Sequence, residues 1–225
     1  MKQKTAILFF SESATVVANR KALHGNVKNN NIIIEAGIKN AIQQIKKTGI
    51  TYFLSDEHKQ QGSTFGQKIS SAMQEIYDKG FDNVIVLGND VPMLTSRHIL
   101  QAAHHLQHHS VVIMPTQISG AAIVAMQAKV FDKENIQSLP WGSDQLFEAL
   151  RSYASAAYCL KATFEINNRG QLMKLAKILP DASLIKKIFV STSAIKRTNC
   201  KTSSSFSKLR ASIASLHNLP PPIIA

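Results

Sequence analysis

Three stretches of the chain are apolar almost without interruption: Thr5–Phe10, Val84–Gly88 and Val111–Met114. Unbroken runs of this length suit strands buried on both faces, since a strand with one wet face would alternate apolar and polar residues. Between them, apolar residues return every three or four positions, the period of a helix. Ile38, Ala41, Ile42 and Ile45 predict a helix ending at Gly49, and Phe65, Ile69, Ala72, Met73 and Ile76 predict a second, closed by Gly80. A third runs from Thr95, its N-cap, to about His109. Ile50–Ser55 reads as a short strand, Gln60–Gly66 as a loop. Farther on, Ala121–Gln127 and Ala156–Phe164 read as strands, and Leu146–Tyr153 and Gln171–Ile178 as helices, the last stopped by Pro180. From Thr5 to Met114, strands and helices alternate. That order predicts an α/β, Rossmann-like three-layer sandwich: a mostly parallel sheet covered on both faces.

Composition agrees. Of 225 residues, 44% are hydrophobic and 18% charged, enough to bury a core and to exclude wholesale disorder. No apolar run approaches the roughly 20 residues of a membrane span. Met1-Lys2-Gln3-Lys4 leads straight into the first strand without a small-residue cleavage site, so it does not read as a signal peptide. The two cysteines, Cys159 and Cys200, are far apart and fit no metal spacing. A disulfide scaffold is therefore excluded, and a reducing cytoplasmic compartment is expected. Charge divides the chain. The formal net charge is +12, and residues 181–225 carry seven basic residues against Asp181 alone. Ser191–Ser207 is rich in Ser, Thr, Lys and Arg. The expected organisation is one domain over 1–180 and a basic, Ser-rich, partly flexible extension over 181–225. Basic chains attract phosphate, but the extension lacks interleaved aromatics and a recognition motif, so nucleic acid is not the expected partner.

In open parallel sheets, ligands bind beyond the carboxyl ends of the strands. Ser11–Arg20, Gln60–Lys68 and Asn89–Pro92 occupy such places. Asp90, directly after a fully apolar strand, suits a hard cation such as magnesium, which favours one or two carboxylates with phosphate oxygens. It equally suits a turn cap before Pro92. His98, His104, His105, His108 and His109 crowd one helix, with two i, i+4 pairs spaced for zinc or nickel; a solvated helix face explains them more simply. No nucleophile elbow, Walker loop or G-x-G-x-x-G is present.

Three segments, in order and in register, resemble one bacterial family. Gly88-Asn89-Asp90-Val91-Pro92-Met93-Leu94-Thr95 is similar to its G-S-D-x-P-x-L-T signature. Gln60-Gln61-Gly62-Ser63-Thr64-Phe65-Gly66-Gln67-Lys68-Ile69 resembles Q-x-G-x-x-L-G-x-R-M, and Trp141-Gly142-Ser143 resembles W-x-T/S. The family has the glycosyltransferase-A, nucleotide-diphospho-sugar transferase fold and is related to 2-phospholactate guanylyltransferase. The resemblance implies a metal-dependent nucleotidyl- or glycosyltransferase-like protein that binds a nucleotide or nucleotide-sugar and an unspecified acceptor. It makes Asp90 the catalytic residue and, with Glu165, the ligand of Mg2+ or Mn2+. Arg20, Gln60, Gly62, Gly66, Lys68 and Asn89 would contact the nucleotide, with Trp141 and Asp144 on the acceptor side. Asp144 also reads as the N-cap of the Leu146 helix.

Departures from the family pattern are substantial. The family's K-x-P-x-x-G-x-x-K-T-R-L phosphate loop becomes Ser11–Arg20, where Arg20 alone corresponds and Glu12 adds negative charge. In P-A-x-D-G-G-Y the acidic position is Ile118 and the tyrosine Ala121. The D-x-D-T pair becomes Glu165-Ile166-Asn167-Asn168. These losses favour an alternative: a catalytically degenerate nucleotide-binding or protein-interaction module on the same fold.

Overall fold

A computed structural model of the chain describes residues 3–118, 120–153 and 157–179, together with Lys186, Lys187 and Val190. Its six strands are β1 (Thr5–Phe10), β2 (Thr51–Ser55), β3 (Asn83–Leu87), β4 (Val111–Pro115), β5 (Ala121–Gln127) and β6 (Tyr158–Cys159). Up to Leu179, seven α-helices are described with them: α1 (Ala14–Arg20), α2 (Val27–Lys46), α3 (Phe65–Asp78), α4 (Ser96–His105), α5 (Lys133–Ser138), α6 (Leu146–Tyr153) and α7 (Arg169–Ile178). The strands form one sheet in the order β2-β1-β3-β5-β4-β6. β1 pairs in parallel with β2 and β3, and β4 with β6. β5 runs antiparallel between β3 and β4.

The apolar runs are explained by burial on both faces. Ala6, Leu8, Phe10, Val84, Val86, Val111 and Ile113 enter one core layer, covered by Ile69, Met73 and Ile76 of α3, Ile136 of α5 and Leu146 and Leu150 of α6. Their neighbours Ile7, Phe9, Ile85, Leu87, Val112 and Met114 enter the other, under Ala41 and Ile45 of α2 and Ile99 and Ala102 of α4. Alternate residues of one strand thus feed opposite layers. A third cluster joins Val17 of α1, Ile33 and Ile34 of α2 and Leu172 and Leu175 of α7 beside the sheet.

Helix entries are capped as their residue types dictate. Thr64 and Thr95 form capping boxes with Gln67 and His98, and Asn26, Asp132 and Asn168 accept from the third residue of their helices.

Four expectations change. Ser11–Arg20 is not a loop throughout: it contains α1. A short helix, α5, lies where none was expected. α4 stops at His105, capped by Leu106, so His108 and His109 fall in the following turn. The strand expected over 156–164 is reduced to Tyr158–Cys159 and an isolated bridge between Thr116 and Thr163. Among the described residues, no helix is long and apolar enough to cross a membrane. The basic, Ser-rich extension lies outside the described residues apart from Lys186, Lys187 and Val190.

Candidate functional site

β1 and β3 end at one cavity of about 790 Å³, which also takes in the β4–β5 turn, the start of α3, the segment before α6 and the segment after β6. Gln60, Lys68, Asn89, Asp90, Trp141, Asp144, Glu165 and Arg20 all line it. The residues named from sequence as far apart as Arg20 and Glu165 are therefore brought together.

Part of the lining is aromatic. Phe10 and Phe65 meet edge to face with centroids 5.4 Å apart, and Phe65 meets Trp141 at 5.4 Å with the rings tilted. Trp141 Nε1 donates to the Ile136 carbonyl at 2.8 Å, which fixes the indole. Phe65, the first residue of α3, remains half exposed.

Another part is a connected polar cluster. Lys21 Nζ lies 2.5 Å from Asp90 Oδ1 and donates to Asn167 Oδ1 at 2.6 Å. Asn167 Nδ2 in turn donates to Glu165 Oε1. The other Glu165 oxygen rests against Gly120, where a Cβ would come within 2.7 Å of it; glycine is needed here for that close approach. Gly120 N donates to Thr116 Oγ1 at 3.0 Å. Burial pushes the Asp90 carboxyl above the usual carboxylate range, with the Lys21 charge and hydrogen bond opposing and the Glu165 charge adding to the rise.

Lys21 is placed by the turn after α1. Its amide donates to Val17 O at 2.8 Å, closing the helix. Asn30, buried on α2, accepts from Leu23 N at 2.9 Å and His24 N at 3.2 Å, and donates to Ala18 O at 2.8 Å and Lys21 O at 2.6 Å. All four hydrogen-bonding places of its amide are thereby used. Sequence reasoning missed Lys21 and Asn30. The one available signal was the Arg20-Lys21 pair at the end of the segment matching the phosphate loop. Of the two, Arg20 is the more exposed and pairs with Glu12 at 2.6 Å, so it compensates the acidic residue that departs from the family pattern.

Other expected residues are placed differently from what the resemblance implies. Gly62 and Gly66 are not among the lining residues. Gly62 turns the chain at φ +123°, and Gly66 packs against α5, where a Cβ would fall 2.0 Å from the Gln137 carbonyl oxygen. Gln60 Nε2 donates to Ser55 O at 3.2 Å. In the turn before α6, Ser143 Oγ accepts from Gln145 N at 3.1 Å, while Asp144 lines the cavity. Of the clustered histidines, His105 stacks on Tyr158 with ring centroids 3.7 Å apart and His109 meets the same ring at 4.9 Å. No group of three or more His, Cys, Asp or Glu suited to a metal occurs among the described residues.

The Desulfovibrio desulfuricans G20 protein provisionally named a nucleotide-diphospho-sugar transferase superimposes with a TM-score of 0.77 over 87% of this chain and 98% of its own, at 17% identity. The chain has the glycosyltransferase-A-like fold. Residues 32–143 of this glycosyltransferase-A-like protein match the sequence family DUF2064, described as an uncharacterized protein conserved in bacteria. More distant structures include the Rv0371c homolog from Mycobacterium sp. strain JC1 (9% identity, 84% of this chain and 98% of that one, TM-score 0.49). Rv0371C of Mycobacterium tuberculosis H37Rv in complex with manganese is a further one (9% identity, 79% of this chain and 100% of that one, TM-score 0.48). No curated protein matches the sequence.

Proposed function

We propose that the cavity binds a nucleotide or nucleotide-sugar and that the protein is of the nucleotidyl- or glycosyltransferase type, with Asp90 at the reacting end. One observation carries this reading: a cavity of about 790 Å³ at the strands' carboxyl ends joins an aromatic lining to a charged cluster. That volume lies within the range of small-molecule sites, roughly 300–1,000 Å³. The half-exposed Phe65 ring is suited to a base or sugar ring, while Lys68 supplies positive charge for phosphates, with donors from Lys21 and Arg20 beside their carboxylate partners Asp90 and Glu12. Trp141 and Asp144 lie on the lining near the start of α6, where an acceptor would enter.

The resemblance assigns Mg2+ or Mn2+ to Asp90 and Glu165. The donor set in its present arrangement does not fit a divalent ion. The Lys21 ammonium is paired with Asp90 Oδ1, and the amide of Asn167 engages Glu165 Oε1. A divalent ion at Asp90 would have to displace a positive charge and then sit beside it. The role derived for the chain's own residues is accordingly to bind and orient phosphate, and no step is routed through a metal.

A second reading, a degenerate module that binds nucleotide or a protein without turnover, is favoured by Ile118, which lines the cavity half exposed where the family pattern has an acidic residue. The test common to both is thermal stabilisation by a panel of nucleotides and nucleotide-sugars, since a ligand that binds only the folded state raises its melting temperature. A shift with one base identifies the donor, and product formation from that donor separates transferase from module. No shift across the panel refutes nucleotide binding.

A further inference from the structure

We infer that the Lys21 ammonium is the resident cation of this site, so that phosphate binding is independent of divalent metal. The inference rests on the nucleotide reading above and deepens it. Its basis is the Asp90–Lys21–Asn167–Glu165 cluster.

Asp90 lies in the bend just beyond β3, whose five residues are all buried, and carries the carboxylate to the cavity. The group facing that carboxylate is the Lys21 ammonium, at 2.5 Å. Its side chain is 14% exposed, so the charge is withdrawn from water without being sealed off. An ammonium has three donors. Asp90 and Asn167 take two, and Lys21 lines the cavity, leaving one donor for a phosphate oxygen. The position is built, not incidental. Lys21 N closes α1, and the buried Asn30 fixes the Lys21 carbonyl from α2. A lysine on a loose surface turn would have neither anchor.

Charge accounting bears on which cation the cluster holds, not on its attraction for phosphate. Asp90 and Glu165 with Lys21 leave one net negative charge, and Asn167 bridges the Lys21 and Glu165 ends as a neutral amide that donates at one atom and accepts at the other. With an aspartate at position 167, as in the family pattern, a further carboxylate would stand there and a divalent ion would be the natural partner. Asparagine instead matches a monovalent ammonium. Removing the lysine leaves two carboxylates and an amide oxygen, a set that suits Mg2+ or Mn2+. The metal site is thus latent, and Lys21 fills it.

The test uses the full chain with inorganic pyrophosphate and a panel of nucleoside diphosphates as probes, each in EDTA and in Mn2+. Binding is read by calorimetry, and Mn2+ alone is titrated by electron paramagnetic resonance. For the unsubstituted protein, the same affinity in EDTA as in Mn2+ is expected, with no Mn2+ site in the absence of phosphate. Lys21→Met should weaken binding in EDTA by about tenfold or more, the loss of a charge-assisted hydrogen bond, and should gain Mn2+ binding that restores it. Binding by the unsubstituted protein only in Mn2+, or tight Mn2+ binding without phosphate, overturns the inference while leaving the nucleotide reading standing. Neither measurement depends on a variant that folds. Unchanged binding by Lys21→Met in EDTA also overturns it. Absence of binding under every condition removes the nucleotide reading, and this inference with it.

Discussion

Asn30 carries more of the site than its place on α2 suggests. Buried at 3% exposure, it holds two amides and two carbonyls of the turn that delivers Lys21. Asn30→Ala would leave these backbone groups unpaired in a site closed to water, costing about 3 kcal/mol. At roughly 2–4 °C per kcal/mol for a domain of this size, the melting temperature should fall by about 6–12 °C; a change within about 1 °C would refute the assignment. Phe65 tests the cavity in the opposite way. Its ring is half exposed, so Phe65→Ala should alter stability little yet weaken nucleotide binding by about tenfold or more if a base stacks there. Equal affinity by calorimetry would place the base elsewhere. Asp90 was legible from sequence because it directly follows an unbroken apolar strand. Lys21 was not, because its partner lies far along the chain, on another element, and only strand order brings them together.

At the scale of elements, α1 shows what the period of apolar residues misses. Seven residues are too few to hold a helix alone, and Ser13 at its entry makes no side-chain cap of its own. The cap comes from the loop after β2: Glu57 accepts from Ser13 N at 2.7 Å and Ser13 Oγ at 2.6 Å. These two bonds, the hydroxyl's first and the amide's second, hold the Glu57 carboxyl below its usual range. A carboxyl lowered in the folded state stabilises it above the ordinary glutamate range, and that contribution is lost as pH falls through the folded value. Glu57 should therefore titrate below the ordinary glutamate range, with the Ser13 amide resonance following the same curve by NMR, and Glu57→Gln should abolish that coupled titration. A midpoint within or above the ordinary glutamate range would refute the cap. Gly66 is a second contact between elements. Gly66→Ala drives a Cβ to 2.0 Å from the Gln137 carbonyl oxygen, so α3 and α5 must part. The cost expected of such overpacking is about 1–3 kcal/mol, visible as a lowered melting temperature even where no ligand is bound. The apolar runs made β1, β3, β4 and β5 legible. The insertion of β5 between β3 and β4 was not, because every strand of a doubly covered sheet carries the same pattern whatever its neighbours.

For the molecule as a whole, the core is assembled from distant parts of the chain. Among the described residues, its three apolar clusters draw on positions from Ala6 to Leu179, and α7 contributes Leu172 and Leu175 to the last of them. We propose the division read from charge, a domain over 1–180 and a basic extension over 181–225, as the organisation of the protein. Beyond that boundary, Lys186 Nζ donates to the Leu179 carbonyl at 2.8 Å, at the end of α7. A partly exposed hydrogen bond of this kind contributes about 1 kcal/mol, small beside a core that buries both faces of a six-stranded sheet. As the proposed division requires, truncation after Pro180 should lower the melting temperature by only about 2–4 °C and leave pyrophosphate binding unchanged, since every described residue that lines the cavity lies before it. A much larger fall would show that residues 181–225 bury apolar surface of the core. Loss of binding with the melting transition intact would show instead that their positive charge reaches the phosphates.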